Sequence, residues 1–133
     1  MSTDPEGIIR RFFDVWVERD PVRLTEFFAE DGVWSEPHRP PAVGHSQIRP
    51  VFEMQTSFGS DFSFEFRNLV VVGDTVFTER VDRFSLNDTP MTVGVAGIFE
   101  IGSDGRIRAW RDYYDWADLE RQLVAAGVDM SGA

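Results

Sequence analysis

The stretch Thr75 to Phe84 reads TVFTERVDRF and carries an arginine and an aspartate two residues apart. Successive side chains of a strand point to opposite faces, so Val76, Thr78, Arg80, Asp82 and Phe84 share one face. Phe77, Glu79, Val81 and Arg83 share the other. Arg80 and Asp82 therefore stand among apolar neighbours, and charges on an inward face persist only when they are paired. The stretch Arg108 to Tyr114 repeats the feature, with Trp110, Asp112 and Tyr114 on one face. Trp34 and Glu36 repeat it a third time. Three segments thus each deliver a carboxylate to a face flanked by aromatic or apolar side chains. Alternation does not decide whether the three faces converge. Spacing alone also allows a structural ion pair for Arg80 and Asp82, a solvated strand end for Asp112, and an exposed loop edge for Glu36.

If the faces converge, two carboxylates bridged by one guanidinium are not equivalent. Repulsion and desolvation raise one pKa, while the arginine keeps the other group ionised. One protonated acid and one carboxylate base then share a pocket. Addition of water to an epoxide suits such a pair. The base takes a proton from water and the acid protonates the departing ring oxygen. Neither a metal nor a cofactor is needed.

The elements that must hold these residues can be read from pattern. Thr3 and Glu6 have capping-box spacing with Pro5 in the first turn. Ile8, Ile9, Phe12, Phe13 and Trp16 then recur at helical spacing. Asp20-Pro21 starts a second, shorter helix that is expected to stop at Glu30 to Gly32. Val33 to Glu36 reads as a short strand, and Pro37 to Gly44, with three prolines, as a loop. Ser46 is the expected cap of a third helix ending at Gly59. Strands follow over Phe62 to Val72, Thr75 to Leu86, Met91 to Ile101 and Arg106 to Tyr114. Asp115 caps a last helix, with Gly127 just beyond its end. Gly94 and Gly97 are expected to mark a bulge or bend in a curved sheet. Helices first and strands after mean an α+β fold in one domain spanning residues 1–133.

The motifs TERVD (Thr78 to Asp82) and WRDYYD (Trp110 to Asp115), with the strand-turn-strand between them, resemble the limonene-1,2-epoxide hydrolase family. The helical start and FFAEDG (Phe27 to Gly32) extend the resemblance over nearly the whole chain. That family belongs to the nuclear-transport-factor-2-like superfamily, which includes ketosteroid isomerases and polyketide cyclases. The resemblance implies a strongly curved mixed sheet forming a cone, with the N-terminal helices packed on it. It implies Asp82 as general acid, Arg80 as the bridging group and Asp112 as the base that activates water. The family holds that water with a Tyr and an Asn two residues apart, and the matching positions here are Trp34 and Glu36. Tryptophan donates a hydrogen bond but accepts none. An ionised glutamate only accepts, and a protonated one can also donate. The implied substrate is a small, mostly apolar epoxide and the product a vicinal diol. An epoxide-opening cyclase, an isomerase or a non-catalytic ligand-binding module would use the same pocket. A homodimer joined through the exposed sheet face is also implied.

Composition narrows the partners. The formal net charge of −10 argues against nucleic acid and anionic membranes. No apolar stretch approaches membrane-spanning length. The start MSTDPEGIIRR lacks a basic segment followed by an apolar run, so no signal peptide is expected. The absence of cysteine excludes disulfides and thiolate metal sites and fits the cytoplasm, the expected compartment. His38 and His45 lie beside Glu36, but their spacing matches no recurrent metal site. Twelve phenylalanines and four tryptophans suit a core around a wide apolar cavity.

Overall fold

In a computed structural model of the chain, which describes residues 4–131, ten elements alternate less simply than the sequence pattern suggests. Helix α1 spans Pro5–Glu18 and α2 spans Pro21–Glu26. A hairpin of β1 (Phe28–Glu36) and β2 (Arg39–Val43) precedes α3 (His45–Phe58). Strands β3 (Ser60–Val72), β4 (Thr75–Leu86), β5 (Thr89–Ile101) and β6 (Ile107–Tyr113) follow, and α4 (Trp116–Ala125) comes last. The six strands form one curled sheet in the order β2-β1-β6-β5-β4-β3. All neighbours are antiparallel except β1 and β6, which run parallel. The sheet is therefore mixed, as the resemblance implied. No helix among the described residues is long and apolar enough to cross a membrane.

Helix α1 begins at Asp4, whose side chain accepts from the Gly7 N–H. The expected capping residue Thr3 lies outside the described residues. Ile8, Ile9, Phe12, Phe13, Val15 and Trp16 line the buried face of α1. Phe12 is fully buried, with the rings of Phe28, Phe52, Phe99 and Trp110 within 5.2–6.3 Å. Burial of one such ring contributes about 1.5–3 kcal/mol. Phe62, Phe64 and Phe66 of β3 turn inward against this cluster, so the alternating phenylalanines serve the core.

Four local expectations give way to tertiary context. Helix α2 stops at Glu26, four residues early, and Phe28 already belongs to β1. Phe28 fits either pattern by periodicity, and its burial in the sheet decides in favour of strand. The segment after Pro37 is not all loop, because Arg39–Val43 pairs with β1. Pro40 and Pro41 are tolerated there because β2 is an edge strand and both fall at the break in register between the Trp34–Ala42 and Glu36–Arg39 pairs. Ser46 does not cap α3; Gly44 holds the cap position without a side-chain bond, at φ 77°. Of the bulge or bend expected at Gly94 and Gly97, the bulge is excluded, since the β4–β5 register runs unbroken past both.

Candidate active site

The register of the central strands explains how Arg80 reaches Asp112. Thr78 of β4 faces Gly97 of β5, and Gly97 faces Asp112 of β6. Gly97 has no side chain, and the Arg80 guanidinium occupies the space above it. A Cβ at Gly97 would collide with Arg80 Nη1, Asp112 Oδ1 and Thr78 Oγ1. The glycine is thus a requirement of close approach.

Arg80 is 1% exposed and spends four of its N–H groups on neighbours. Nε and Nη2 donate side-on to Asp82, to Oδ1 at 3.0 Å and Oδ2 at 3.0 Å. The other Nη2 hydrogen goes to Asp112 Oδ2 at 2.9 Å, and Nη1 donates to Thr78 Oγ1 at 2.8 Å. The Phe13 ring lies 4.7 Å from the guanidinium carbon. The Trp110 indole N–H donates to Asp112 Oδ1 at 2.7 Å. Burial alone would lower the Arg80 pKa, but the Asp112 and Asp82 carboxylates more than reverse that, and the guanidinium stays charged. Asp82 moves the other way. Burial raises its pKa, Arg80 pulls it down, and Asp112 adds a further push upward, with the balance above the ordinary aspartate value.

Parallel pairing of β1 and β6 builds the second half of the site. Trp34 faces Trp110 and Ser35 faces Arg111, which brings Glu36 beside Asp112 one step on. The Trp34 and Trp110 rings stack at 4.6 Å and 8°. Two residues beyond the carboxylates, the Tyr114 hydroxyl and His38 Nδ1 are 3.0 Å apart. Indole on indole, Glu36 beside Asp112 and imidazole on phenol form a three-rung ladder. Glu36 Oε2 accepts from Arg39 Nε at 3.0 Å and Gln55 Nε2 at 3.2 Å. Burial raises the Glu36 pKa from 4.5 to about 7; Arg39 opposes the shift and Asp112 adds to it. The Tyr114 hydroxyl is raised as well, first by burial and then by Glu36 and Asp112.

Asp82, Asp112, Glu36, Tyr114 and Gln55 all open on one cavity of about 540 Å³. Its walls are mostly apolar, with Phe13, Phe62, Phe64 and Phe84 on one side. Trp116, Leu119 and Leu123 of α4 close another side. Helix α4 has no fully buried residue, so its apolar face is spent on the cavity and not on the core. Its position is held by the Gln122 amide, which exchanges two hydrogen bonds with the Thr92 backbone at 3.1 and 2.8 Å.

A family model described as a SnoaL-like domain matches residues 9–110. The chain belongs to the SnoaL-like domain family. Epoxide hydrolase EphG of Mycobacterium tuberculosis is 35% identical over 89 residues, which span 62% of this chain and 58% of that protein. The match thus covers little more than half the length of this curated relative. An LEH-like epoxide hydrolase from M. tuberculosis superposes with a TM-score of 0.75 at 23% identity, over 90% of this chain and 88% of its own. SalBIII, an epoxide hydrolase/cyclase-like enzyme of pyran ring formation in salinomycin, gives 0.76 at 17% identity over 86% and 92%. These two likenesses establish the nuclear-transport-factor-2-like fold.

Within this SnoaL-like cone the sequence-predicted residues Asp82, Asp112, Trp34 and Glu36 line one cavity, and Arg80 lies buried behind it, bonded to Asp82 and Asp112. Glu36 is enclosed, not exposed at a loop edge; its side chain is 8% exposed. Trp34 contributes a ring face only, because its Nε1 is sealed without a hydrogen-bond partner. His45 bonds the Phe28 carbonyl at 2.8 Å, away from Glu36. Sequence reasoning missed Arg39, Gln55, the function of Gly97, and the pairing of His38 with Tyr114. Of these, only Gly97 carried a readable signal, as a glycine inside a strand of apolar residues.

Two outcomes follow from the packing and the charges. Gly97→Ala should leave the secondary structure by circular dichroism intact while displacing the Arg80 guanidinium, with any turnover reduced at least about 100-fold. Full activity in that variant would show that the guanidinium position does not matter. The raised Glu36 pKa also makes stability depend on pH. The folded chain binds this proton more tightly than the unfolded chain, so the contribution is complete below about 4.5 and is lost as pH rises through about 7. Relative to Glu36→Gln, the protein should lose on the order of 3 kcal/mol across that window in urea denaturation.

Proposed function

We propose that the protein is an epoxide hydrolase that adds water to a small, largely apolar epoxide and yields a vicinal diol. The carrying observation is the buried Arg80 fork joining Asp82 to Asp112 at an apolar cavity. Asp112 takes a proton from water as its oxygen attacks one ring carbon. The carbon–oxygen bond of the ring breaks, and Asp82 gives its proton to the departing oxygen. The upward shift of Asp82 supports its role as the acid. Arg80 holds the two carboxyl groups in register and remains charged throughout. Glu36 Oε1, left free of the Arg39 and Gln55 bonds, is the acceptor for the second hydrogen of the water. The 35% identity to epoxide hydrolase EphG supports the reaction class.

A second reading keeps the pocket and changes the nucleophile or the bond. Glu36 stands where the resemblance led us to expect a neutral amide, and a carboxyl group of raised pKa beside Asp112 suits an epoxide-opening cyclase or an isomerase. Product analysis separates the readings. In ¹⁸O-labelled water a hydrolase gives a diol containing the label, whereas a cyclised or isomerised product contains none.

Asp112→Asn should lower turnover by at least about 100-fold with the fold retained, as expected for loss of a general base. Retention of most activity would remove Asp112 from that role. We further propose a homodimer joined through the outer sheet face, where Val70, Val72 and Phe77 are exposed on β3 and β4. Light scattering should give twice the chain mass, and Phe77→Arg should return it to a monomer.

A further inference from the structure

The proposed hydrolysis leaves a proton debt that the triad does not settle. After ring opening Asp112 carries a proton and Asp82 has lost one. Asp82 is open to the cavity, with a side chain 18% exposed, and regains a proton from water as the diol leaves. Asp112 is more enclosed, at 7%, and both its oxygens are bonded, to Trp110 and Arg80. Its route outward is the open question.

We propose that Glu36, Tyr114 and His38 form the proton exit from Asp112 to solvent, an inference that rests on the hydrolase reading. The two parallel strands supply the geometry. Glu36 follows Trp34 and Ser35, which pair with Trp110 and Arg111, so its neighbour across the gap is Asp112. Asp112 and Tyr114 are two residues apart on one face of the β6 segment, and both line the cavity with Glu36. The Tyr114 hydroxyl and His38 Nδ1 are within hydrogen-bond distance at 3.0 Å. His38 sits in the turn between β1 and β2, on the exposed rim, and its ring is fixed by stacking on Trp116 at 4.1 Å and 11°.

The protonation preferences of the three groups agree with that order. Glu36 titrates at about 7, so near neutrality it takes and gives a proton with little cost. Tyr114 is held far from ionisation and acts as a neutral hydroxyl that receives one proton while passing another. His38 is lowered by burial and by the Arg39 charge, which keeps it an uncharged acceptor at neutral pH. The charged and titratable groups around this chain are Arg39 beside Glu36 and His38, Asp112 across from Glu36, and Asp82 and Glu120 on the cavity wall. The step balances. The Asp112 O–H bond breaks and Glu36 gains the proton. Glu36 returns one to the Tyr114 oxygen as the phenol O–H passes to Nδ1, and the imidazolium releases one to bulk water. The proton lost here equals the one Asp82 regains.

Because this reset follows ring opening, it limits kcat and leaves kcat/KM alone. His38→Ala should lower kcat about tenfold while kcat/KM stays within about twofold, and added imidazole should restore kcat. Tyr114→Phe keeps the ring and the packing but breaks the chain, and imidazole should not rescue it. In single-turnover experiments with His38→Ala, the rate of ring opening should match the unaltered protein. Equal losses in kcat and kcat/KM without imidazole rescue would reduce His38 to a packing role and overturn the proposal. An unchanged kcat in both variants, with epoxide turnover intact, would overturn the exit alone. Absence of epoxide turnover by the unaltered protein would overturn the hydrolase reading and the exit with it.

Discussion

A guanidinium that is 1% exposed must be paid back in full by its neighbours, and this requirement organises the centre of the sheet. Arg80 satisfies it with a side-on fork to Asp82, a single bond to Asp112 and one to Thr78. Removing either carboxylate would leave a buried charge incompletely matched, at a cost of several kcal/mol. The constraint reaches beyond the three charged residues. Gly97 must lack a side chain so that the guanidinium can pass over β5. Thr78 must offer an oxygen, which it steadies by donating to the Gly97 carbonyl at 3.2 Å. Phe13 closes the open face of the guanidinium, so α1 packs against the same charge that the sheet carries. Fold and site therefore share residues, and Phe13 serves both the aromatic core and the cavity wall.

The parallel contact of β1 with β6 is the second organising feature. It joins the first described strand to the last, and among the described residues it is the only parallel pair in the sheet. In parallel neighbours, residues of equal phase stand side by side over several steps. That lateral order stacks Trp34 on Trp110 and sets Glu36 beside Asp112. The aromatic rung is buried and excludes water from one side of the carboxylates. The outer rung, His38 with Tyr114, borders solvent. A gradient from sealed to wet thus runs along two strands. It explains why burial shifts Glu36 strongly while His38, two residues away, remains near the surface.

Much of this arrangement was legible in the sequence because it depends on local rules. Alternation put Arg80 and Asp82 on one face, and β4 has the Thr75 to Leu86 bounds that turn residues predict. Asp20 and Asp115 cap their helices, each accepting from the N–H three residues on. The failures occur where distant partners decide. Phe28 suits a helix and a strand equally by spacing, and only its place against the aromatic core settles the choice. Arg39 to Val43 looked like loop because prolines rarely sit in a sheet, and its edge position was invisible until β1 had a neighbour. Gln55 read as one more residue of α3, yet it bonds Glu36, nineteen positions earlier. His38 and Tyr114 are 76 residues apart, and no periodicity links them.

The charge balance of the cavity bears on the chemistry it can host. Asp82, Asp112 and Glu36 face the two arginines that bond them, Arg80 and Arg39. With every carboxyl ionised, this enclosed group carries one unbalanced negative charge, which a low-dielectric site resists. Retaining one proton makes it neutral, and the upward shifts of Asp82 and Glu36 are two expressions of that single need. A neutral cluster with one mobile proton is suited to a reaction in which one proton enters as another leaves. Water addition to an epoxide has that form: in the proposed reaction the proton taken by Asp112 is matched by the one given from Asp82. In the proposed ring opening the cluster begins and ends with the same total charge, so the surrounding aromatic walls need not solvate any net change.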